Sequence, residues 1–323
     1  MASKRVVTVI GATGNQGGSV VDHLLSYDAG HYIVRAVTRN PDTDAAKDLV
    51  TRDVEVVQAD LDDVLSLTKA FKGSYAIFAV TDFWTLAEHL GVEEAGARET
   101  RQGRNLADAA EATRESLGHY IWSTLVDTAR VSDGHFVVPH YESKAAVDRY
   151  IGSKPELYSR TTFLWCSYYA SNLTRDYLRP VFIPSAGKYV QMQAVPEDTP
   201  MALMGDTRAN LGAFAVAILE QPQMTRGGKV VFAYIEKTTL GGILESWAKA
   251  HGVKAEYIQI PSESYFRLFQ GQVEEMHVGM GFWDYARNKS WVPKQGLLTY
   301  HDLGIDTSRL MSVEASFGQL PLQ

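Results

Sequence analysis

The sequence has little of several features that define other classes of protein. Cys166 is the single cysteine among 323 residues, so no disulfide can form within the chain and we expect a reducing, cytoplasmic compartment. No apolar run approaches the roughly 18 residues that a membrane helix needs, so no membrane association is expected. The short run Val6–Ile10 leads into glycines rather than a cleavage site, and we therefore expect no signal peptide.

Positive charge and metal-binding patterns are also scarce. The chain has 31 Lys and Arg against 38 Asp and Glu, a net charge of −7, so the composition predicts no direct nucleic-acid partner. Its nine histidines form no H-x-x-x-H or H-E-x-x-H cluster, and no metal site is predicted. A G-x-S-x-G motif, typical of α/β-hydrolases, is absent as well. What is left is the composition of an ordinary globular protein, 45% hydrophobic and 21% charged.

Short β-branched runs alternate with helical patterns in the first half of the chain. The runs are continuously apolar, as in parallel strands that helices cover on both faces. They are Arg5–Ile10, Ile33–Thr38, Val54–Gln58, Tyr75–Val80 and His119–Ser123. This alternation of strands and helices predicts an α/β fold with a doubly wound parallel sheet of the Rossmann type.

The second half keeps part of the rhythm and is more irregular. It contains strand-like runs at Thr161–Trp165 and Lys229–Tyr234, helical patterns at Ala209–Leu219 and Leu240–Ala250, and irregular stretches at Tyr168–Ser185 and from Phe282 to Tyr300. We predict that residues 1–165 form the nucleotide-binding domain and that strands near 185–234 return to it. Residues 166–323 are predicted to form a smaller α+β lobe, interleaved with the first, for a substrate or a partner.

A glycine-rich loop follows the first strand and opens a helix. Residues 11–18 read G-A-T-G-N-Q-G-G, with the spacing G-x-x-G-x-x-G. Glycines let the backbone turn tightly and approach a pyrophosphate, and the helix N-terminus offers free N–H groups and a partial positive charge. The loop predicts a dinucleotide site with contacts from Gly11, Thr13, Gly14, Asn15, Gln16 and Gly17.

The ends of the next strands indicate which dinucleotide is bound. An acidic residue after the second strand would bind the ribose 2′-OH of NAD, but Arg39 stands there and suits the 2′-phosphate of NADP(H). Asp60 and Leu61 follow the third strand, where the adenine ring would lie. Asp60 could equally cap a helix that starts near Leu61. Val80 and Thr81, after the fourth strand, complete the predicted cofactor contacts.

Several segments resemble the NmrA-like family, which belongs to the atypical short-chain dehydrogenase/reductases. They are the glycine loop at 11–18, T-R-N-P at 38–41, Q-A-D-L-D-D at 58–63, G-R-N-L-A-D-A-A at 103–110, I-W-S-T-L at 121–125 and H-Y-E-S-K-A-A-V-D-R-Y-I at 140–151. The segment at 162–173 is similar to the family's sixth strand and F-x-x-N turn, with Tyr169 in place of the Phe. The resemblance implies a Rossmann fold that binds NADP(H) under a smaller lobe. It also implies either a reductase or a dinucleotide-sensing regulator that has lost catalysis.

The catalytic pattern departs from that of ordinary short-chain reductases, which use Tyr-x-x-x-Lys on one helix face. Lys144 is present, but His140 stands four residues before it and Tyr141 three. We expect Lys144 to bind the nicotinamide ribose, with two alternatives for the proton donor: His140, or Tyr141 if Lys144 lowers its pKa. The alternative for His140 is that it caps the helix or satisfies a buried backbone group, and the alternative for Tyr141 is that it packs in the core. Ser123 stands where those reductases place a serine that polarises the substrate.

The substrate pocket is expected at the carboxyl ends of the strands. Its predicted lining is Phe83 and Trp84, in a loop expected at 80–84, together with Tyr168, Tyr169, Asn172, Phe282 and Trp283. Aromatic residues are about twice as frequent in residues 158–323 as in 1–157, which favours an aromatic or polyketide-like ligand. The predicted function is an NADPH-dependent reductase of a small carbonyl, enone or quinone. The alternative is a non-catalytic NADP(H)-sensing regulator that binds a partner protein, and a homodimer is compatible with either.

Overall fold

The computed structural model describes residues 4–27, 31–270, 273–291 and 296–322. The strands in these ranges are β1 Arg5–Ile10, β2 Tyr32–Thr38, β3 Glu55–Gln58, β4 Ala76–Ala79, β5 His119–Thr124, β6 Thr161–Cys166, β7 Tyr168–Tyr169, β8 Val181–Ile183, β9 Lys188–Gln193, β10 Pro200–Gly205, β11 Lys229–Ala233, β12 Glu236–Thr239, β13 Ala255–Gln259 and β14 Leu297–Leu298.

The α-helices of the same ranges are α1 Asn15–Ser26, α2 Asp44–Thr51, α3 Val64–Phe71, α4 Phe83–Leu90, α5 Val92–Ala112, α6 Thr128–Val131, α7 Pro139–Gly152, α8 Pro155–Tyr158, α9 Thr207–Glu220, α10 Pro222–Thr225, α11 Leu240–His251, α12 Ser262–Leu268, α13 Val273–Ala286 and α14 Val313–Gly318. Short 3₁₀ helices lie at Ala170–Thr174, Arg287–Trp291 and Thr307–Arg309. No helix of the described ranges is long and apolar enough to cross a bilayer.

Eight parallel strands form the main sheet, in the order β14-β11-β6-β5-β4-β1-β2-β3. Alternate residues of its central strands enter two different apolar cores. Tyr120 and Trp122 belong to one core with Leu106 of α5, whereas Ile121 belongs to the other with Phe214 of α9. Burial on both faces is the reason why these strands are continuously apolar in sequence. The predicted doubly wound Rossmann-type sheet is confirmed.

The first half of the sheet is covered in part by the second half of the chain. Helix α9 packs against α1, and Gly212 of α9 makes this approach close, since its backbone N–H donates to Ser19 Oγ at 2.8 Å. A Cβ at Gly212 would overlap the Ser19 carbonyl oxygen. A larger side chain would therefore force the two helices apart.

Two three-stranded sheets lie outside the main one, in the orders β12-β10-β7 and β13-β9-β8. Of the later strands, β11 and β14 join the main sheet, whereas β9 and β10 belong to the small sheets. The division into a domain of residues 1–165 and an interleaved lobe of residues 166–323 stays a proposal.

Three local expectations are wrong. Residues Phe282–Tyr285 lie on α13 and are not irregular. Helix α3 begins at Val64 with Asp63 as its N-cap, so Asp60 does not cap it. Phe83 and Trp84 lie on α4, because the Asp82 carboxylate accepts from the Thr85 backbone N–H and starts a helix where a loop was expected.

Candidate functional site

The glycine loop has the geometry of a phosphate-binding turn. Gly11 has φ +66°, and a Cβ at Gly17 would lie 2.5 Å from the Ile10 carbonyl oxygen, so glycine is required at both positions. Helix α1 starts at Asn15 with Gly14 as an N-cap that offers no side-chain hydrogen bond, and its first turn contains no acidic residue. Thr13, Gly14 and Asn15 are exposed. The loop therefore presents unpaired N–H groups and fits a diphosphate.

The side chain of Gln16 connects the glycine loop to three strands. Its Oε1 accepts from Ser123 Oγ at 2.6 Å, and its Nε2 donates to the Tyr169 hydroxyl at 2.8 Å. Cys166 Sγ lies 3.7 Å from the same oxygen. Burial raises the pKa of the Cys166 thiol and, well above its usual value, that of Tyr169. Ser123 and Tyr169 are thus both hydrogen-bonded to the glycine loop through Gln16.

The ends of β2 and β3 carry exposed charged side chains. The Arg39 guanidinium is exposed and has neither an ion pair nor a hydrogen bond among the described residues, whereas its carbonyl accepts from Gln58 Nε2 at 2.9 Å. Asp60 is exposed and shapes the following turn, with Oδ1 accepting from the Asp62 backbone N–H at 2.9 Å. Leu61 is partly buried, and its carbonyl accepts from Asn105 Nδ2 at 2.8 Å. Arg39 is therefore available to an anionic ligand.

Lys144 lies in a buried polar network where β4 ends. It is 9% exposed, and its Nζ lies 3.0 Å from Glu99 Oε1, 3.0 Å from Thr81 Oγ1 and 3.2 Å from the Thr81 carbonyl. Glu99 is fully buried on α5 and also accepts from Thr81 Oγ1 at 2.8 Å and from Ser143 Oγ. The adjacent Val80 side chain lies against Gly11, so this network borders the glycine loop. Lys144 is thus a buried cation neutralised by one carboxylate.

Glu99 was missed in the sequence, although a signal for it exists. It falls on the buried face of α5 together with Ala95, Gly103 and Leu106, at a spacing of three to four residues. A glutamate on such a face is buried only when it has a partner.

His140 and Tyr141 occupy the first turn of α7 and have different environments. Glu275 Oε1, on α13, accepts from the His140 backbone N–H at 2.9 Å and also from its Nδ1. Burial is the main cause that raises the pKa of Tyr141 well above its usual value. Tyr141 was expected to donate a proton if Lys144 lowers its pKa, and the pKa of Tyr141 is instead raised.

Aromatic side chains surround these two residues. The His140 ring centre lies 4.9 Å from that of Trp84 and 5.8 Å from that of Phe83. The Tyr141 ring centre lies 6.2 Å from those of both Phe282 and Trp283. Four of the predicted lining residues thus meet around the start of α7.

The other predicted lining residues lie further along the same half of the chain. Tyr168 belongs to a third apolar core, which has Trp84 and Trp283 at its margin, and burial raises its pKa above the usual value. Asn172 lies in the 3₁₀ helix Ala170–Thr174, and its carbonyl accepts from the Arg175 backbone N–H at 3.1 Å. No contact joins either residue to His140 in the described part of the chain.

Asp148 is a second acidic residue that the sequence analysis missed. Its Oδ1 accepts from Trp122 Nε1 at 2.8 Å and from Thr124 Oγ1 at 2.7 Å. Burial raises the pKa of Asp148 to about 7, against the opposing effects of these two donors and of Lys144. The residue therefore titrates near neutral pH beside the network of Lys144.

A cavity of about 260 Å³ borders the glycine loop at Asn15. The start of α9 at Asp206–Arg208, together with Ser171, Ser316 and Gln319, lines its other walls. The second half of the chain thus reaches the edge of the loop. Among the described residues, no group of three or more His, Cys, Asp or Glu side chains could hold a metal ion.

Comparisons with known proteins agree with this architecture. The sequence profile of the NmrA-like family matches residues 3–294. An NmrA-like family domain-containing oxidoreductase of Aspergillus hancockii is 25% identical over 277 residues, which is 83% of this chain and 79% of the relative.

Two solved structures have the same fold. One is NmrA, a negative transcriptional regulator, in complex with NADP; it has a TM-score of 0.73 at 20% identity and covers 98% of this chain and 95% of its own. The other is an NADPH-dependent quinone oxidoreductase of Escherichia coli complexed with NADPH. It has a TM-score of 0.64 at 16% identity and covers 96% of this chain and 98% of its own.

Proposed function

The chain belongs to the NmrA-like family, and on that premise we propose that it binds NADP(H) and reduces a small aromatic or polyketide-like carbonyl, enone or quinone. The observation that carries the proposal is the charged Lys144, held by Glu99 and Thr81 where β4 ends and next to the glycine loop. In a doubly wound sheet, this end of the strands is where the nicotinamide ribose is bound. A lysine at this position can donate hydrogen bonds to ribose hydroxyls.

The residues of the chain fit NADP(H) at both ends of the dinucleotide. The backbone N–H groups of Asn15 and Gln16 would bind the pyrophosphate, and the exposed Arg39 would bind the 2′-phosphate. Asp60 and Leu61 would border the adenine, with Val80 and Thr81 near the nicotinamide. When bound, NADPH supplies the hydride for the reduction.

The substrate class rests on the aromatic residues around the start of α7. Phe83, Trp84 and Trp283 offer flat apolar surface within reach of His140 and Tyr141. A planar ring can stack on such residues. The Aspergillus hancockii relative, named an oxidoreductase, and the Escherichia coli quinone oxidoreductase both support a redox reaction on a small molecule.

The proposed function is tested by NADPH consumption, followed at 340 nm, with a panel of naphthoquinones, aromatic ketones and enones. We expect turnover with at least one member, and a loss of about 100-fold or more in kcat/KM for Lys144→Ala, because the variant loses the cation at the ribose. Lys72→Ala, which removes an exposed lysine, is the control and should keep full activity. Full turnover by Lys144→Ala would contradict the role of Lys144.

A second candidate function is a non-catalytic NADP(H) sensor that binds a partner protein. It is favoured by the absence of a tyrosine four residues before Lys144 and by the raised pKa of Tyr141. The solved NmrA structure of similar fold is described as a negative transcriptional regulator. Tight NADPH binding without consumption across the panel, together with a partner whose capture depends on the cofactor, would favour this alternative.

A further inference from the structure

We propose that Glu275 is a positioning residue that holds His140 as the proton donor of the reduction. The chemical part of this inference rests on the proposed function, whereas the positioning part does not. It assigns a role in the site to α13, which carries none of the residues that the sequence analysis proposed for catalysis. It also decides between the two alternatives for the proton donor.

One oxygen of Glu275 holds His140 at two atoms. Glu275 Oε1 accepts from the backbone N–H of His140 and from Nδ1 of its ring. Glu275 is 4% exposed, and a carboxylate is buried only with good hydrogen bonds. Because Nδ1 must carry a proton to donate to this oxygen, the contact fixes the tautomer of His140 and the orientation of its ring.

The other ring nitrogen is left for a ligand. His140 Nε2 has no hydrogen-bond partner among the described side chains, although the ring is packed between Trp84 and Tyr141. A Cβ at Gly279 of α13 would lie 3.7 Å from His140 Cε1, so α13 also borders the ring edge that carries Nε2. His140 is thus fixed at one nitrogen and unpaired at the other, beside aromatic residues that could stack on a planar substrate.

Position on the helix links His140 to the proposed cofactor site. His140 and Lys144 are four residues apart on α7 and share one face. Lys144 contacts Thr81, and the His140 ring contacts Phe83 and Trp84, in the segment that directly follows Thr81. Both side chains therefore face the residues after β4.

Tyr141 is the weaker donor on physical grounds. Burial raises its pKa well above the usual value and the charge of Glu275 adds to this effect, and together they outweigh the hydrogen bond with Trp283, which lowers it. His140 in contrast has its Nδ1 against the Glu275 carboxylate and an Nε2 without a hydrogen-bond partner among the described side chains.

The step balances with NADPH as the reductant. A hydride adds to the electrophilic carbon as the C=O π bond breaks, and the imidazolium of His140 gives its Nε2 proton to the oxygen. NADPH is oxidised to NADP⁺, the carbonyl is reduced to an alcohol, and His140 becomes neutral with its Nδ1 proton still held by Glu275. For a quinone, hydride addition to one carbonyl oxygen gives the hydroquinone monoanion, and the same donor protonates its other oxygen.

The positioning role is tested by ¹⁵N NMR of protein labelled at histidine, with the His140 signals assigned by their loss in His140→Gln. We expect Nδ1 to be protonated in the parent protein. It should stay protonated in Glu275→Gln, which keeps an oxygen at the same place, and lose that state in Glu275→Ala. Glu274→Ala removes the exposed neighbour on α13 and should leave the His140 signals unchanged. An unprotonated Nδ1 in the parent, or unchanged Nδ1 signals in Glu275→Ala, would overturn the positioning role.

The catalytic role is tested with NADPH and menadione. We expect kcat to fall about 100-fold in Glu275→Ala and His140→Gln, with KM changed less than about threefold, and to fall less than about tenfold in Glu275→Gln. The double variant should lose no more than His140→Gln, because the two residues act as one unit.

Each arm of the catalytic test has a distinct outcome. Full kcat in His140→Gln would overturn proton donation by His140, even if the NMR result stands. If the parent protein consumes no NADPH with the wider substrate panel either, the proposed reductase function and the donor role fail together. The NMR arm still decides the positioning role in that case. Glu275→Gln covers the case in which Glu275→Ala does not fold.

Discussion

At the scale of the residue, the pairing of Lys144 with Glu99 decides which chemistry the lysine can support. The Lys144 Nζ lies 3.0 Å from a carboxylate oxygen of the fully buried Glu99, which holds the lysine where β4 ends. Burial is the main cause that raises the pKa of Tyr141, three residues before Lys144, and that phenol is therefore no match for the tyrosine of a Tyr-x-x-x-Lys pair. Glu99 therefore separates this site from the Tyr-x-x-x-Lys arrangement, although both contain a lysine on the same helix.

Arg39 is predicted to set the cofactor preference. Its guanidinium is exposed and has no hydrogen bond or ion pair among the described residues, so it can pair with a 2′-phosphate at little cost. We expect the parent protein to bind NADPH more tightly than NADH, and Arg39→Ala to reduce that preference by about tenfold or more. Titration of the fluorescence of both cofactors measures the ratio. Lys69→Ala, another exposed cation, should leave it unchanged. Equal affinities of the parent protein for NADPH and NADH would show that Arg39 does not bind the 2′-phosphate.

Asp148 is predicted to make stability depend on pH near neutrality. Its pKa is about 7 in the folded chain and about 3.9 in an unfolded one, so between these values the folded state holds a proton that the unfolded state has lost. The stabilisation is complete below about pH 4 and is lost as the pH rises through 7. Asp148→Asn cannot ionise and keeps an oxygen for Trp122 and Thr124.

We therefore expect the free energy of unfolding of the parent, relative to that of Asp148→Asn, to fall by about 1–3 kcal/mol between pH 4 and pH 8. Urea denaturation at several pH values measures this difference. Asp48→Asn changes an exposed carboxylate on α2, and its free energy of unfolding should depend on pH in the same way as that of the parent. If the free energy of unfolding of Asp148→Asn also followed that of the parent between pH 4 and pH 8, Asp148 would be ionised in the folded protein over this range.

At the scale of the element, the contact between α1 and α9 connects the two halves of the chain. Helix α1 carries the phosphate-binding turn at its N-terminus, and α9 fixes its position through the Gly212 contact with Ser19. A shift of α1 would also move Gln16, which holds Ser123 and Tyr169. The geometry of the glycine loop thus depends on a helix nearly 200 residues later in the chain.

Gly212→Ala is predicted to separate these helices. The new methyl group would overlap the Ser19 carbonyl oxygen and lie 2.7 Å from His23 Cγ, so α1 has to move. We expect a loss of about 1–3 kcal/mol in the free energy of unfolding and weaker NADPH binding. Gly96→Ala is the matched control on α5, because its Cβ would meet no atom closer than 3.9 Å; it should be neutral or stabilising. Unchanged stability and NADPH binding in Gly212→Ala would show that the contact between α1 and α9 accommodates the added methyl group.

At the scale of the whole molecule, the sequence predicts the features that depend on neighbouring residues and misses the contacts between residues far apart in the chain. The bounds of β1 match the prediction, and those of the other strands of the first half differ by one or two residues, because burial on both faces leaves a continuous apolar run. The glycine loop is read from adjacent residues. Glu99 and Glu275 act on residues 45 and 135 positions away. No local pattern shows which distant side chain they meet.

The same limit explains why the second half of the chain is harder to predict than the first. Its small sheets are built from strands of two to six residues, too short to give a period. Helix α13 is apolar on more than one face because it packs against both α7 and the third apolar core, so its sequence lacks the stripe of a surface helix. In the small sheets and in α13, tertiary packing and not a local sequence pattern determines the secondary structure.

The separation of His140 and Glu275 in the chain also affects the order in which parts of the site can form during synthesis. A ribosome that adds about 5–20 residues per second synthesises the histidine some 7–27 seconds before its acceptor. During that interval the nascent chain can fold the glycine loop and the central strands, but His140 has no carboxylate to hold it. The ability to bind a nucleotide would thus arise during synthesis before the ability to deliver a proton.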